Sequence, residues 1–179
     1  MRVLYGVFQT GAQANGGVES FTQLLETRGG NGATVITQMQ TPVNDRWQRS
    51  GARVETWSIP YAMGQSMRAA GPLAAVARAR SIAATNSRVA WVVQSEGTSI
   101  VHCNDISALW HLGPGGRLGR AALIHHVRDV KPEGEDYGAR WQVAVRLAGH
   151  TVVLSEDMRL RLVDRLGLSS GLAARISVL

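Results

Sequence analysis

The sequence predicts one doubly wound α/β domain spanning residues 1–179, with a seven-stranded parallel sheet and helices on both faces. Short β-rich runs alternate with helical segments along the whole chain, which is the pattern of this fold class. Several of the β-rich runs are almost continuously apolar, as expected of parallel strands covered on both faces. No repeat or linker divides the chain, and its length suits a single domain with a sizeable core.

Seven segments have the composition of strands. We expect right-handed crossovers between them and, numbered along the chain, the sheet order 3-2-1-4-5-6-7. The predicted strands are residues 2–8, 33–38, 53–59, 100–104, 121–127, 151–155 and 175–179.

In the segments between these strands, apolar residues recur at the spacing of a helix. Proline is tolerated in the first turn of a helix, so Pro72 is expected to open a long alanine-rich helix that runs to about residue 93. The segment after the fourth strand begins as a helix at Ile106, but the Gly-Pro-Gly-Gly run at 113–116 is expected to break or restart it. The apolar faces of the first and fifth helical segments are formed by Val18, Phe21, Leu24 and Leu25, and by Trp141, Val145 and Ala148.

The helix after the sixth strand has the clearest ends. Ser155 can cap its N-terminus, and Glu156 and Asp157 lie in the first turn, where the helix dipole favours acidic groups. Arg165 and Gly167 are typical of a C-terminus. Its apolar stripe, interpreted as core packing, consists of Met158, Leu162, Val163 and Leu166.

The formal charge of +6 is carried by arginine, since Lys131 is the only lysine. The arginines are scattered and do not form a basic run interleaved with aromatic residues, which argues against nucleic-acid binding. Arg78, Arg80 and Arg88 could form a local patch for an anionic membrane surface or a phosphorylated acceptor. Solvated helix faces explain the same arginines.

Redox and metal chemistry are not indicated, and we expect no cofactor. The single cysteine, Cys103, excludes an internal disulfide and a multi-thiol metal site, and its apolar surroundings predict a buried thiol. His125 and His126 are adjacent on a strand and must point to opposite faces, so they cannot ligate one metal. The sequence has neither an apolar run of membrane-spanning length nor a basic-then-apolar leader, and we expect a cytoplasmic location.

Ligands of a doubly wound sheet bind beyond the carboxyl ends of its strands. After the first strand the chain reads GAQANGGVESF, and Gly16 and Gly17 stand where strand passes into helix. The glycines do not form G-x-G-x-x-G, and no G-K-[ST] is present, so neither a nicotinamide site nor a P-loop is supported. Free amides at this helix N-terminus could receive a phosphate or hydroxyl, and a tight turn explains the glycines equally well.

Other strand ends carry polar side chains too. Tyr61 and Arg68 follow the third strand on a loop and suit a polar or anionic ligand, although solvent exposure also explains them. Asn104 ends the fourth strand, where it or the next residue, Asp105, could simply cap a helix. Arg128, at the end of the fifth strand, could hold phosphate or carboxylate with its guanidinium fork.

Four short motifs follow one another along the chain: Gly-Gly-Val-Glu at 16–19, Val-His at 101–102, Arg-Asp at 128–129 and VVLSEDMRLRL at 152–162. This order resembles the N-terminal half of GT-B glycosyltransferases of the family-4 type, which have a Gly-Gly…Glu helix start, a V-H strand, an H-D pair and a V-x-x-S-E-x-M-R-x-x-L stretch. The resemblance runs along the whole chain. Arg128 stands at the family's usual histidine, so we transfer no catalytic base to this chain.

The resemblance implies a Rossmann-like, acceptor-side lobe of a retaining, metal-independent enzyme. Such an enzyme transfers a sugar from a nucleotide-sugar donor to a carbohydrate or lipid-linked acceptor. The C-terminal donor-binding lobe would begin where this sequence stops, and the isolated lobe would be inactive. Gly16 and Gly17 would admit the donor diphosphate. Candidate acceptor-binding residues are Glu19, Tyr61, Ser66, Arg68, Asn104, His126, Arg128 and Asp129.

Two other interpretations stay open. A stand-alone Rossmann-like module would bind a free nucleotide or small molecule with micromolar affinity. An interaction domain would dock its arginines on an anionic membrane, with peripheral contact at the inner membrane face, and its binding would weaken with salt.

Overall fold

A computed structural model describes residues 1–9, 16–59, 72–128 and 138–179. The candidates Tyr61, Ser66, Arg68 and Asp129 lie outside the described residues. The strands are β1 (Val3–Gly6), β2 (Ala33–Thr37), β3 (Arg53–Thr56), β4 (Ile100–Cys103), β5 (Ala122–Val127), β6 (His150–Val153) and β7 (Ile176–Val178). The helices are α1 (Gly16–Arg28), α2 (Pro42–Arg49), α3 (Pro72–Glu96), α4 (Ile106–Leu118), α5 (Gly138–Leu147), α6 (Glu156–Leu166) and α7 (Ser170–Ala173).

The strands form one parallel sheet in the order β3-β2-β1-β4-β5-β6-β7, which confirms the predicted order. All seven predicted strands are present, each slightly shorter than the apolar run that predicted it. Tyr5 of β1 pairs with Val35 of β2 on one side and with His102 of β4 on the other. Strand order therefore reverses between β1 and β4.

Helices lie on both faces of the sheet, as right-handed crossovers require. Val7 and Val35 belong to a core cluster with α1 and α2, whose fully buried Trp47 donates to Thr22 Oγ1 at 2.8 Å. Leu4 and Val101 point the other way, into a second cluster with α3 and α4. A third cluster packs α5 and α6 on the β5–β7 end of the sheet.

The helix α2 was missed by sequence reasoning. Its signals are nonetheless visible, since Pro42 occupies the first turn after Thr41, and Val43 and Trp47 are four residues apart on one buried face. The helix is hard to recognise in the sequence because it is only eight residues long and its other side chains are mostly polar.

The expected break in α4 at residues 113–116 was wrong, because the helix continues through Pro114 to Leu118. Proline lacks the N–H that would bond the carbonyl of Trp110, and Asn86 of α3 supplies a replacement donor, Nδ2 to O at 3.1 Å. The same side chain accepts from Gly115 N at 2.6 Å. At Gly115 a Cβ would lie 2.2 Å from the Asn86 carbonyl oxygen, so glycine permits this close contact between α3 and α4.

One part of the sheet is less covered than the rest. His102, Ile124 and Val152 are half-buried, whereas the strand residues that alternate with them are buried against α3–α6. Among the described helices only α1 and α2 pack on this face, and they cover the β1–β3 end.

Within the described ranges, no helix has the length and apolar character needed to cross a bilayer.

Candidate functional site

A cavity of 180 Å³ lies at the carboxyl edge of the sheet, beside the reversal of strand order between β1 and β4. This is where doubly wound folds bind ligands, because the loops diverge to opposite faces and leave a crevice. The cavity is lined by Phe8, Val18, Asn104, Asp105, Ile106, His125, His126, Val127, Arg128 and Trp141.

The first turn of α1 borders this cavity through Val18. Two residues earlier, Gly16 is exposed, and a Cβ built on it would meet no described atom within 4 Å. Its backbone is not in the left-handed region either. Neither packing among the described residues nor backbone conformation therefore requires glycine at position 16.

A buried polar network fixes the strand end that precedes α1. The side-chain amide of Gln38 bonds both the N–H and the C=O of Gln9, with its Oε1 accepting from Gln9 N at 3.0 Å, as a neighbouring strand would. The Gln9 Nε2 donates to Thr37 Oγ1 at 3.1 Å and to Asn44 Oδ1 at 3.0 Å, and its Oε1 accepts from Thr41 at 2.8 Å. Every polar atom of the Gln9 side chain is satisfied, which holds the end of β1 in one position.

Asn104 and Arg128 form a pair across two strand ends. The Nε of Arg128 donates to Oδ1 of Asn104 at 2.7 Å. The backbone N–H of Asn104 donates to the backbone carbonyl of Gly6 at 2.9 Å. The ends of β1, β4 and β5 are thereby joined. This arrangement places a half-buried, permanently charged guanidinium at the cavity wall, where it can attract an anionic group.

Asp105 caps α4, as one of the two interpretations predicted. Its carboxylate accepts from Ser107 N at 2.6 Å and from Ala108 N at 2.8 Å. Burial raises the pKa of Asp105 to about 6, against the opposing effect of these amides, of the Phe8 amide and of the Arg140 charge. The capping carboxylate therefore titrates close to physiological pH.

Three neutral histidines lie at or next to the cavity, since His125 and His126 line it and His102 stacks on His126. His102 and His126 stack with ring centroids 5.7 Å apart on one sheet face, and burial, with the charge of Arg128, lowers the pKa of each to about 4. His125 faces the opposite side, 6.0 Å from the ring of Trp141, and burial lowers its pKa to about 3. The predicted opposite orientation of His125 and His126 is confirmed.

Glu19 is engaged within the protein. Its carboxylate accepts from both terminal nitrogens of Arg46 on α2, at 2.9 and 3.0 Å, and Arg46 also binds Glu26. It does not line the cavity. Its role in acceptor binding stays a prediction, and its observed contact is the bridge between α1 and α2.

The thiol of Cys103 is fully buried, as predicted, and burial raises its pKa well above the ordinary value. Within the described part of the chain, no three histidine, cysteine or carboxylate side chains gather as a metal site would require.

Solved structures with the same fold were found, although no family model and no curated protein matches the sequence. HepE from Anabaena in complex with UDP matches 100% of this chain and 43% of its own, with a TM-score of 0.70 and 15% identity. A glycosyltransferase from Rickettsia africae ESF-5 matches 99% of this chain and 42% of its own, with a TM-score of 0.67 and 13% identity. This chain therefore spans less than half of the length of each of these two proteins.

The same fold also occurs in a UDP-N-acetylglucosamine 2-epimerase, which matches 99% of this chain and 47% of its own, with a TM-score of 0.61 and 11% identity. Fold likeness at such identities does not choose between transfer and epimerisation.

Three of the residues predicted for the glycosyltransferase site, Asn104, His126 and Arg128, line the one cavity just described. Sequence reasoning missed the cavity role of Trp141, which was assigned to the core, and of Phe8. Phe8 could have been found, because it lies two residues after β1 at the carboxyl edge. Trp141 could not, because its place depends on how α5 packs.

Proposed function

We propose that this chain is the acceptor-side lobe of a glycosyltransferase that moves a sugar from a nucleotide-sugar donor to a carbohydrate or lipid-linked acceptor. A separate donor-binding lobe completes the enzyme, and the isolated chain is inactive. The observation that carries the proposal is the convergence of the first turn of α1, through Val18, and the Asn104–Arg128 pair on one cavity where strand order reverses.

The finer assignment is an N-terminal lobe of a GT-B enzyme of the family-4 type, retaining and independent of metal. Its support is the order of the motifs at 16–19, 101–102 and 152–162 together with the share of each solved glycosyltransferase that the chain matches. The half-buried face of β4–β6 adds support, since it suits packing against further structure. We place the protein in the cytoplasm, in peripheral contact with the inner membrane face.

Each site residue has a distinct proposed role. Gly16 and Gly17 present no side chain to a donor diphosphate that approaches the N-terminus of α1. Arg128, oriented by Asn104, attracts an anionic group of donor or acceptor. His126 presents a neutral imidazole. Acceptor contacts are also proposed for Glu19, Tyr61, Ser66, Arg68 and Asp129.

No residue is assigned as a catalytic base. Arg128 keeps its proton at all working pH values, and the lowered pKa of His126 makes it a weak acceptor of protons. The contribution of this lobe is therefore positioning and electrostatics, which take effect when two lobes close and exclude water.

Two measurements test the proposal. An antibody against this domain should detect a native polypeptide roughly twice as long as this chain, or a separate partner lobe that co-purifies with it. The isolated chain should show little binding of UDP-glucose by calorimetry, and adding the partner lobe should restore sugar transfer. A well-folded, correctly assembled mixture that neither transfers nor hydrolyses the donor would contradict the proposal.

The second candidate is a self-sufficient nucleotide-binding module. The observation that favours it is that the same fold occurs in an epimerase, so the fold is not restricted to glycosyltransferases. It predicts micromolar binding of UDP by the isolated chain. Calorimetry on the chain alone therefore separates the two candidates.

A further inference from the structure

The imidazole of His125 is fully enclosed in the protein and yet lacks a hydrogen-bond partner. The residue is 0% exposed, and neither Nδ1 nor Nε2 bonds to any group in the described part of the chain. A neutral imidazole carries one N–H donor and one nitrogen that accepts. Buried polar groups without partners are rare, because each loses its hydrogen bonds to water and gains none in return. Such a group is therefore a candidate for pairing with a ligand.

The position of His125 on β5 makes it part of the wall of the cavity at the carboxyl edge of the sheet. Its register neighbours are Cys103 of β4 and Thr151 of β6, and neither side chain bonds to the imidazole. The strand therefore brings a buried polar group to the cavity without pairing it on either side.

The surroundings of this imidazole favour an uncharged ligand. Burial lowers the pKa of His125 to about 3, so the ring is neutral at physiological pH. The carboxylate of Asp105 is already used to cap α4. Apolar side chains form half of the lining, and a charged group enclosed among them would lose its hydration. These apolar residues are Phe8, Val18, Ile106, Val127 and Trp141.

The cavity has the size of one six-membered ring. Its volume is 180 Å³, and a cavity of about 150 Å³ is large enough to hold benzene. The half-buried ring of Trp141 lies 6.0 Å from the ring of His125, with 43° between their planes. An aromatic side chain beside one hydrogen-bonding group is the usual lining of a pocket for a small ligand.

We propose that this cavity binds an uncharged six-membered sugar ring of the acceptor, with a ring hydroxyl hydrogen-bonded to His125 and one face of the ring against Trp141. We call this pair of side chains the His125 subsite. Trp141 shifts to admit the hydroxyl, since the imidazole is closed to bulk water in the free protein. The identification of the ring with the acceptor rests on the proposed function, whereas the binding of such a ring does not.

A hydroxylated ring fits the His125 subsite better than other uncharged ligands. A hydroxyl both donates and accepts, so it can pair with either neutral tautomer of the imidazole. A purely apolar ring would leave both nitrogens of His125 unpaired. Sites built to bond a substrate hydroxyl strongly reject analogues that lack it, because the buried polar group of the site then stays unpaired. His125 is therefore a binding residue that selects for the hydroxyl.

The test is an NMR titration of the chain with methyl glucopyranoside, methyl mannopyranoside and methyl galactopyranoside. At least one glycoside should bind with a millimolar dissociation constant and shift the signals of the His125 imidazole and the Trp141 indole. Tetrahydropyran, the same ring without hydroxyls, should bind at least about tenfold more weakly.

Substitutions separate a binding role of His125 from a structural one. His125→Phe should weaken glycoside binding about fivefold or more, while the urea midpoint stays level or rises, because two unpaired polar atoms leave the core. His125→Leu should behave in the same way and covers the case in which the larger ring of Phe does not fit. Trp141→Leu should also weaken binding about fivefold, since the ring loses its aromatic contact.

Matched controls lie outside the cavity lining. The Nε2 of His150 bonds to Ser177 Oγ at 2.8 Å, so His150→Phe should lose stability and bind glycosides like the wild type. Trp91 is 67% exposed on α3, and Trp91→Leu should leave glycoside binding unchanged.

Several results would overturn the proposal. They are the absence of glycoside binding, equally tight binding of tetrahydropyran, unchanged binding in both His125 variants, and equal losses in the controls. Displacement of the glycoside by UDP-glucose would assign the ring to the donor and overturn its identification with the acceptor. Transfer by the assembled enzyme without glycoside binding would count against the His125 subsite alone. Glycoside binding without transfer would support the subsite and count against the proposed function.

Discussion

The side chain of Arg128 donates a 2.7 Å hydrogen bond from its Nε to Oδ1 of Asn104, and this bond joins the ends of β5 and β4. A hydrogen bond to a charged group in a half-buried setting contributes about 1.5–3 kcal/mol. We therefore expect a coupling of roughly this size in a double-mutant cycle of Asn104→Ala and Arg128→Ala, read from urea unfolding. A coupling near zero would mean that the pair does not order the cavity wall.

Replacing Gly16 by Ala separates the two explanations of the glycine pair. A Cβ at this position meets no described atom within 4 Å, so the free energy of unfolding should change by less than about 1 kcal/mol. Transfer by the assembled enzyme should fall at least about tenfold, because the methyl group obstructs the approach of a diphosphate to the helix amides.

The matched control for this variant is Gly171→Ala, on a short exposed helix where a Cβ is also unopposed. Both variants should fold alike and only the first should lose transfer. Full activity in Gly16→Ala would favour the plain turn.

Gly115 should respond in the opposite way. A Cβ there would lie 2.2 Å from the Asn86 carbonyl oxygen, so Gly115→Ala must push α3 and α4 apart. We expect a loss of about 1–3 kcal/mol of unfolding free energy, typical of overpacking. Asn86→Ala should cost a similar amount, because it leaves the Trp110 carbonyl and the Gly115 amide without their partner. Thermal unfolding, with Gly171→Ala as the neutral reference, measures both.

The strands, helix α4 and the cavity residues show how much of this structure can be predicted from the sequence. Nearly continuous apolar runs identified several of the strands, because burial on both faces of a parallel sheet leaves a clear compositional mark. The run at 113–116 misled, since local propensity disfavours a helix there and only a distant residue, Asn86, satisfies the freed carbonyl. Cavity residues at strand ends, such as Asn104 and Arg128, could be predicted from topology. The spacing correctly placed Trp141 on the apolar face of α5, but it does not report that this side chain also reaches the cavity at the sheet edge.

Stability should fall as the solution is acidified from neutral pH. Burial lowers the pKa of His125 to about 3 and those of His102 and His126 to about 4. The stability that such neutral histidines contribute is fully present at pH values above 6.5, the pKa of histidine in the unfolded chain. It is lost as the pH falls toward the lower pKa values of the folded protein. Asp105, with its pKa raised to about 6, contributes stability that is present below 3.8 and lost as pH rises through 6.

Between pH 6 and 4, protonation of the three histidines lowers the stability, whereas protonation of the one carboxyl group raises it. Because the histidines outnumber the carboxyl group, the net stability should fall with pH. The free energy of unfolding, measured by urea titration at each pH, should decline over this interval by roughly 1–3 kcal/mol per pH unit. His102→Gln removes one titrating group and should make the decline shallower, whereas Asp105→Asn, which removes the opposing group, should make it steeper. Parallel curves for the wild type and both variants would show that these buried groups do not govern the acid response.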